Sequence, residues 1–429
     1  MAAPRLAVYV PHLRQGGGEL SMLRLASGLA RGGLAVDLVV HTLQGAELAP
    51  PDGLGLVQLG HAGTLGSVRS LAAWLRTQRP RWLLSAFPHT NVAAVAAAAL
   101  AASQGGRGGA DARCRTLVTE HAPLSHQIQR QATWRYRALP PLVRWAYPRA
   151  DAVVAVSEGV RRDLLGLLGN RLGTRLGTRL HTIANPVIDG PPESAAATPA
   201  VPAPPGTPLH PWLTDPGLRV VLSVSRLSVE KDIPTLLRAF AQLQRQRPQA
   251  RLLVAGDGPE HAALQARIQA LGLGDVAALV GRVQGPQAWM RQAAVLALAS
   301  LYEGFGNVLV EALAQGCAVV ATDCPVGPRE ILQDGRWGAL VPVGDDSAMA
   351  QALLAAIDAP GAPPGAVAHA QQFTDSACCA AYRRLLDSLG GSSGSGSTSR
   401  NRSNSSISNS RSSRDSRNTM GTEAPTTPC

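Results

Sequence analysis

Twice along the chain, short apolar runs alternate with amphipathic helical patterns, and this alternation restricts the fold more than any other feature. In the first half the runs predict strands at Leu6–Val10, Ala35–Val40, Trp82–Ala86, Thr116–Thr119, Ala152–Ala155 and His181–Ile183, with helices between them such as Glu19–Arg31. In the second half they predict strands at Val220–Ser225, Arg251–Ala255, Val276–Val280, Val295–Ala299 and Ala318–Ala321. Strands that alternate with helices imply parallel sheets covered on both faces. The expected fold class is therefore α/β, with two doubly wound, Rossmann-like domains facing a cleft. Ligands of such sheets bind outside the carboxyl ends of the strands, so the loops after the strands are where chemistry is sought.

Composition marks the joints. A stretch from Gly190 to Pro211 is dense in Pro and Ala and reads as a linker. The final forty residues are rich in Ser, Gly, Asn and Arg, with almost no large apolar side chain, and are expected to stay disordered. The expected organisation is an N-terminal domain over 1–189, a linker over 190–216, a C-terminal domain over 217–389 and a tail over 390–429. The near-tandem repeat Arg171–Leu180 is too short for a solenoid and is expected to be a surface loop.

Several classes are disfavoured. Hydrophobic residues are 45% of the chain, enough for a full core. No apolar run approaches the ~18 residues of a membrane span; the longest candidate, Val92–Ala102, is short and Ala-rich. Met1–Val10 reads as a first strand rather than a leader. The six cysteines show no CxxC and no Cys/His metal spacing, and the adjacent Cys378 and Cys379 suit no ordinary disulfide. Free thiols and a cytoplasmic location are expected. The formal charge is +11, yet Lys231 is the only lysine among 40 basic residues. Arginine has replaced lysine everywhere else, which raises the question of what position 231 does.

Four loops carry candidate chemistry. Arg226 and Lys231 share the segment between the strand Val220–Ser225 and a helix expected from Ile233. Two cations beside a helix N-terminus suit an anion such as a diphosphate; a pair of solvated surface cations would read the same way. Glu303-Gly304-Phe305-Gly306-Asn307-Val308-Leu309-Val310-Glu311 follows the strand Val295–Ala299. Its glycines let the backbone approach a ligand, a helix is expected from about Asn307, and Glu303 and Glu311 can line one pocket and accept hydroxyl hydrogen bonds. Alternatively Glu311 only complements the helix dipole. Gly16-Gly17-Gly18-Glu19 forms a flexible turn after the first strand, without a full dinucleotide fingerprint. His121 ends the strand Thr116–Thr119 on the cleft side and is either a site residue or a structural histidine.

Together these residues resemble the GT-B glycosyltransferases of family 4, the glycosyltransferase group 1 family, which are retaining enzymes. The resemblance covers about residues 5–390 and is strongest from Val220 to Val343. There Arg226 and Lys231, Ala255-Gly256-Asp257-Gly258-Pro259, Val280-Gly281-Arg282-Val283, the Glu303–Glu311 segment and Gly327-Pro328-Arg329-Glu330-Ile331 occur in fixed order. Val154-Ala155-Val156-Ser157 and Ala184-Asn185-Pro186 add to it in the first half. The resemblance implies that Arg226 and Lys231 hold the diphosphate of a nucleotide sugar and that Glu311 binds the ribose. Glu303 would face the transferred sugar, and Gly304, Phe305, Gly306, Asn307 and Val308 would offer backbone N–H groups. Arg282 and Val283 would lie beside the base, Gly17 and Gly18 would close over the phosphates, and His121 would sit near the reacting face of the sugar. It also implies a final helix, about 374–389, packed back on the N-terminal domain. No metal or other cofactor is expected, and no Asp-x-Asp triplet is present.

The resemblance further implies a hexose or N-acetylhexosamine donor, UDP-linked, and a lipid-linked or surface-polysaccharide acceptor, since the Gly-Pro-Arg-Glu form resembles enzymes of bacterial lipopolysaccharide and capsule assembly. From Ala122 to Ala150 there is no acidic residue; Arg130, Arg135, Arg137, Arg144 and Arg149 interleave with Trp134, Tyr136, Trp145 and Tyr147. Such a pattern suits the face of an anionic inner membrane and equally an ordinary amphipathic helix pair. No nucleic-acid motif accompanies the basic charge. The rival readings are a GT-B-fold epimerase or small-sugar synthase, and a catalytically inactive nucleotide-sugar-binding subunit.

Overall fold

The computed structural model describes residues 5–14, 16–61, 63–104, 113–130, 134–189 and 208–390. A first sheet contains β1 Arg5–Tyr9, β2 Ala35–Val40, β3 Gly55–Gln58, β4 Trp82–Ala86, β5 Arg115–Glu120, β6 Ala152–Ala155 and β7 Leu180–Thr182. A second contains β8 Arg219–Val224, β9 Ala250–Ala255, β10 Ala277–Gly281, β11 Val295–Leu298, β12 Ala318–Thr322 and β13 Ala339–Val341. Strand order is β3-β2-β1-β4-β5-β6-β7 in the first and β10-β9-β8-β11-β12-β13 in the second. Every pairing is parallel. The order reverses between β1 and β4, and again between β8 and β11, and a doubly wound sheet binds ligands at such switch points.

The apolar runs are continuous because both faces are covered. In β1, Leu6 and Val8 enter one cluster with Met22, Leu25 and Leu29 of the helix Gly17–Arg31, while Ala7 and Tyr9 enter another with Leu71, Ala94 and Ala97. All four strand residues are fully buried. Each Leu or Val so buried contributes about 1.5–3 kcal/mol relative to exposure.

The last helix, Asp375–Gly390, returns to the first sheet, as expected. Cys379, Tyr382, Leu385 and Leu386 join the cluster of Leu6 and Val8. Gly28 permits the close approach: a Cβ there would lie 2.4 Å from Cys379 Sγ. The two chain crossings pair with each other, Val187 N–H donating to Phe373 O and Asp375 N–H to Ile188 O.

Some expectations are corrected. β3 and β13 are added at sheet edges. The repeat Arg171–Leu180 is not a loop; it folds as the helix Asn170–Leu176, a single 3-10 turn and the start of β7, because Leu176 and Leu180 are buried. The first helix starts at Gly17, so Gly17 and Gly18 form its first turn rather than a preceding loop. Residues 190–207 of the linker and 391–429 of the tail lie outside the described residues. At the linker's far end, Pro211–Thr214 is a short helix whose Leu213 is buried with Leu222 and Leu253. Cys114, Cys317, Cys324, Cys378 and Cys379 are free thiols.

Candidate active site

Three of the loops singled out in the sequence, those after β1, β8 and β11, fall at the two switch points, and His121 follows β5, next to β4 in the sheet. After β8, Ser225–Lys231 is buttressed by the next strand connection. Gly256 has φ +140°, and a Cβ there would lie 1.8 Å from Ser225 O, so only glycine fits. Leu227 N–H donates to Asp257 O at 2.9 Å, and Glu260 N–H donates to Leu227 O at 3.0 Å. The Ala-Gly-Asp-Gly-Pro motif thus shapes the loop beside it.

Lys231 closes a 3-10 turn, and Asp232, at φ +42°, begins the helix Ile233–Gln246. The Lys231 Nζ donates to Glu303 Oε1 at 2.5 Å, with the two side chains 20% and 11% exposed. Ser300 Oγ donates to the same oxygen at 2.7 Å. Leu301 N–H donates to Glu230 O at 2.8 Å, tying the loop after β11 to the loop after β8. Arg226 is exposed. It lies within electrostatic reach of Glu19 in the first turn of the helix Gly17–Arg31, where burial raises the carboxyl and Arg226 and Arg14 lower it.

The first sheet meets this surface from the other side. Gly16 caps the helix Gly17–Arg31. A Cβ on Gly18 would lie 2.9 Å from the Phe87 ring. Phe87, the residue after β4, has φ +74°, a strained conformation of the kind that clusters at functional sites. Its ring lies 5.6 Å from that of His121. Both ring nitrogens of His121 are buried without a hydrogen-bond partner among the described residues. Burial lowers its pKa to about 4, with Asn185 partly opposing, so the imidazole is neutral near pH 7.

The two sides touch at Gly304. A Cβ on that residue would lie 1.7 Å from His121 O and 2.9 Å from Ala122 Cα. Ser157 Oγ donates to Gly304 O at 2.9 Å and caps the helix Glu158–Leu168. Glu330 reaches across to the same helix end, accepting from Glu158 N at 2.8 Å and Gly159 N at 2.6 Å. Asn307 Nδ2 donates to Gly17 O and Ser21 Oγ, and its Oδ1 accepts from Asn185 Nδ2.

The remaining candidates divide. The Phe305 ring is buried against Phe373, centroids 5.4 Å apart, so only its main chain can meet a ligand. Gly306, at φ +99°, caps the helix Asn307–Ala314. Val283 and Val308 pack on the second sheet's core. Arg282, beyond β10, crosses to Glu47 at 2.7 Å. Burial pushes the Glu311 carboxyl up to about 7, and Arg24 opposes this. Glu303 pairs with Lys231, whereas Glu311 has, among the described residues, only the field of Arg24, which itself pairs with Asp189 and Asp375, so the two carboxylates stand in different charge environments. No group of three or more metal-ligating side chains occurs among the described residues.

Sequence reasoning missed the side-chain roles of Asn185 and Glu330, although both lie in motifs it quoted. Their partners are 122 and 171 or more residues away. Arg24 had no signal, being one arginine in an amphipathic helix.

The fold and site define a GT-B glycosyltransferase architecture. The sucrose-phosphate synthase of Thermosynechococcus elongatus superposes with TM-score 0.72 at 20% identity, covering 90% of this chain and 99% of that one. Anabaena HepE, in complex with UDP and glucose, superposes with TM-score 0.67 at 18% identity, covering 90% and 100%. Residues 15–188 match Glycosyltransferase Family 4 and residues 218–359 match Glycosyl transferases group 1. The chain belongs to this family. A relative from Campylobacter jejuni, N-acetylgalactosamine-N,N'-diacetylbacillosaminyl-diphospho-undecaprenol 4-alpha-N-acetylgalactosaminyltransferase, is 38% identical over 135 residues, 32% of this chain. The match spans 36% of that relative's length. No helix among the described residues is long and apolar enough to cross a membrane.

Proposed function

We propose that this protein is a retaining glycosyltransferase of polysaccharide or glycolipid assembly. It moves a hexose or N-acetylhexosamine from a UDP-sugar to a lipid-linked or surface-polysaccharide acceptor, without a metal. The observation that carries the reading is the meeting of the strand-end loops of both sheets: Arg226, Lys231 and Glu303 on one side, Gly17, Gly18 and His121 on the other. The UDP in the HepE structure and the diphospho-undecaprenol in the Campylobacter relative's name support the donor and acceptor classes.

In this reading the bond from the sugar's C1 to the diphosphate breaks, a bond from C1 to an acceptor hydroxyl oxygen forms on the same face, and the hydroxyl proton passes to the departing phosphate oxygen. Negative charge grows on the departing phosphate, where Arg226, Lys231 and the N–H groups of Gly17 and Gly18 stabilise it. Glu311 accepts hydrogen bonds from the ribose, and Arg282 and Val283 flank the base. Glu303 and the neutral His121 contact the sugar; the His121 ring nitrogens, which have no hydrogen-bond partner among the described residues and lie near Asn185, are available to its hydroxyls. Incubation with radiolabelled nucleotide sugars, membrane extract and EDTA tests the proposal. Transfer from a UDP-sugar is expected. No transfer and no donor hydrolysis with any donor refutes it, and transfer that EDTA abolishes refutes metal independence.

We also propose peripheral attachment to the cytoplasmic membrane surface through residues 122–150. On the helix Leu139–Ala146, Leu142 is 44% and Trp145 39% exposed, and Arg149 lies over the Trp145 ring at 5.2 Å. Flotation with anionic but not neutral vesicles is expected; equal recovery with both overturns this.

A further inference from the structure

Three neighbouring strands of the first sheet, in the order β2-β1-β4, are each followed within three residues by a histidine. His41 directly follows β2, His12 lies three residues beyond β1 and His89 three beyond β4. None was singled out by motif, and the donor-site reading uses none of them. His41 is 1% exposed. One ring nitrogen shares a 2.6 Å hydrogen bond with Tyr9 OH, and the other is buried without a partner among the described residues. The His12 ring meets it edge-on, centroids 5.6 Å apart. His89 stands in the first turn of the seventeen-residue helix Pro88–Gln104, whose N-terminus favours negative charge. The next residue, Thr90, keeps a buried, unpartnered hydroxyl there. The Phe87 ring, just before that helix, meets the His121 ring at a tilt, centroids 5.6 Å apart, so the cluster adjoins the reacting end of the cleft.

The charges around this cluster have one sign. Protonated His41 is disfavoured by His12, His89 and His61, His12 by Arg14, and His89 by His12. No carboxylate is among those influences. Glu47 lies beside the turn that carries His12, its N–H donating to Leu13 O at 2.8 Å, and its carboxylate pairs with Arg282; Glu19 is under the influence of Arg226 and Arg14. His61 is turned to Ser70 Oγ at 2.8 Å.

We propose that His12 and His89 form an oxyanion subsite for the acceptor, with His41 as its positioning residue held by Tyr9. The ligand class is an acceptor carrying a phosphoryl or carboxylate group next to the hydroxyl that is glycosylated. Imidazoles serve this purpose because they donate hydrogen bonds when neutral and gain charge when an anion arrives. Burial lowers His41 to about 4, and burial with Arg14 lowers His12; His89 is exposed at the helix N-terminus. Oxyanion binding therefore takes up protons and tightens as pH falls.

The word acceptor rests on the glycosyltransferase reading, so the test separates the two. The full chain is first titrated with UDP by calorimetry and then, with UDP saturating, with inorganic pyrophosphate, glucuronate or glucose, at about pH 6 and about pH 8, either side of the imidazole range. Pyrophosphate binding assigns the diphosphate of a lipid-linked acceptor, and glucuronate binding an acidic sugar. Glucose is expected not to bind. The favoured oxyanion is expected to bind about tenfold tighter at the lower pH, and His12→Gln or His89→Gln to weaken it about tenfold with UDP affinity unchanged. Absence of binding by both oxyanions, or binding indifferent to both substitutions and to pH, overturns the subsite. Failure of UDP to bind counts against the donor reading alone, and the histidine dependence measured without UDP then decides the subsite.

Discussion

Lys231→Arg separates charge from shape at the centre of the site. The ammonium lies 2.5 Å from Glu303 Oε1 in a loop where both side chains are mostly buried. At that distance the Coulomb attraction is roughly 7 kcal/mol at an effective dielectric of 20. Desolvation cancels most of it, leaving a net contribution of about 1–2 kcal/mol. Arginine keeps the charge, and Ser300 still donates to Glu303. The stability loss is therefore expected to stay below about 1 kcal/mol, a shift of no more than about 2 °C in Tm. The guanidinium is planar and wider than an ammonium and cannot place a compact charge between Glu303 and a departing phosphate. The expected fall in kcat/KM is about 100-fold, or about 2.7 kcal/mol of transition-state stabilisation. Steady-state transfer kinetics with the donor chosen by the radiolabel panel, beside a thermal melt, measure both. Turnover within about twofold of wild type refutes the reasoning, and so does a loss of turnover matched by a comparable loss of fold.

Gly304→Ala places a Cβ against three backbone atoms of His121 and Ala122; the two sides of the cleft must separate, costing about 1–3 kcal/mol, and a lower Tm with weakened turnover is expected. Glu330→Gln removes the carboxylate that accepts from Glu158 N and Gly159 N. A loss of about 1–2 kcal/mol is expected in urea unfolding, and an unchanged midpoint would show that the contact adds nothing. Burial holds the Glu311 carboxyl up to about 7 against an ordinary 4.5, so the folded chain binds more protons than the unfolded chain between those values. Its contribution to stability is complete below about 4.5 and is lost as pH rises through 7. Glu311→Gln is expected to flatten that slope by about 1–3 kcal/mol while weakening UDP binding, read by melts across pH and by calorimetry.

The sheet interiors were legible because buried parallel strands leave an unbroken apolar signal, as in Leu6–Val10 and Val220–Ser225. The edges were not. β3 is Gly-Leu-Val-Gln with Leu56 42% exposed, and β13 is three residues long. Neither carries enough apolar side chains to stand out from a loop. The repeat at 171–180 was misread because its two inward leucines, Leu176 and Leu180, are hidden among Gly, Thr and Arg. In the site, Lys231, Glu303 and the glycine loop were legible as local motifs attached to strand ends. The Ser157–Gly304 and Glu330–Gly159 contacts across the cleft were not, because each joins residues more than 140 positions apart. Arg24 illustrates the same limit: its partners Asp189 and Asp375 sit on the two chain crossings, and no spacing in the sequence brings them together.

The central claim is that the loops after β8 and β11 hold the diphosphate of a nucleotide sugar. Calorimetric titration of the full chain with UDP, comparing wild type with Arg226→Ala, tests it most directly, because Arg226 is exposed and its removal leaves the core intact. The account predicts one UDP per chain and at least a tenfold weaker affinity in the variant at an unchanged Tm. Equal affinity in the two proteins would contradict it.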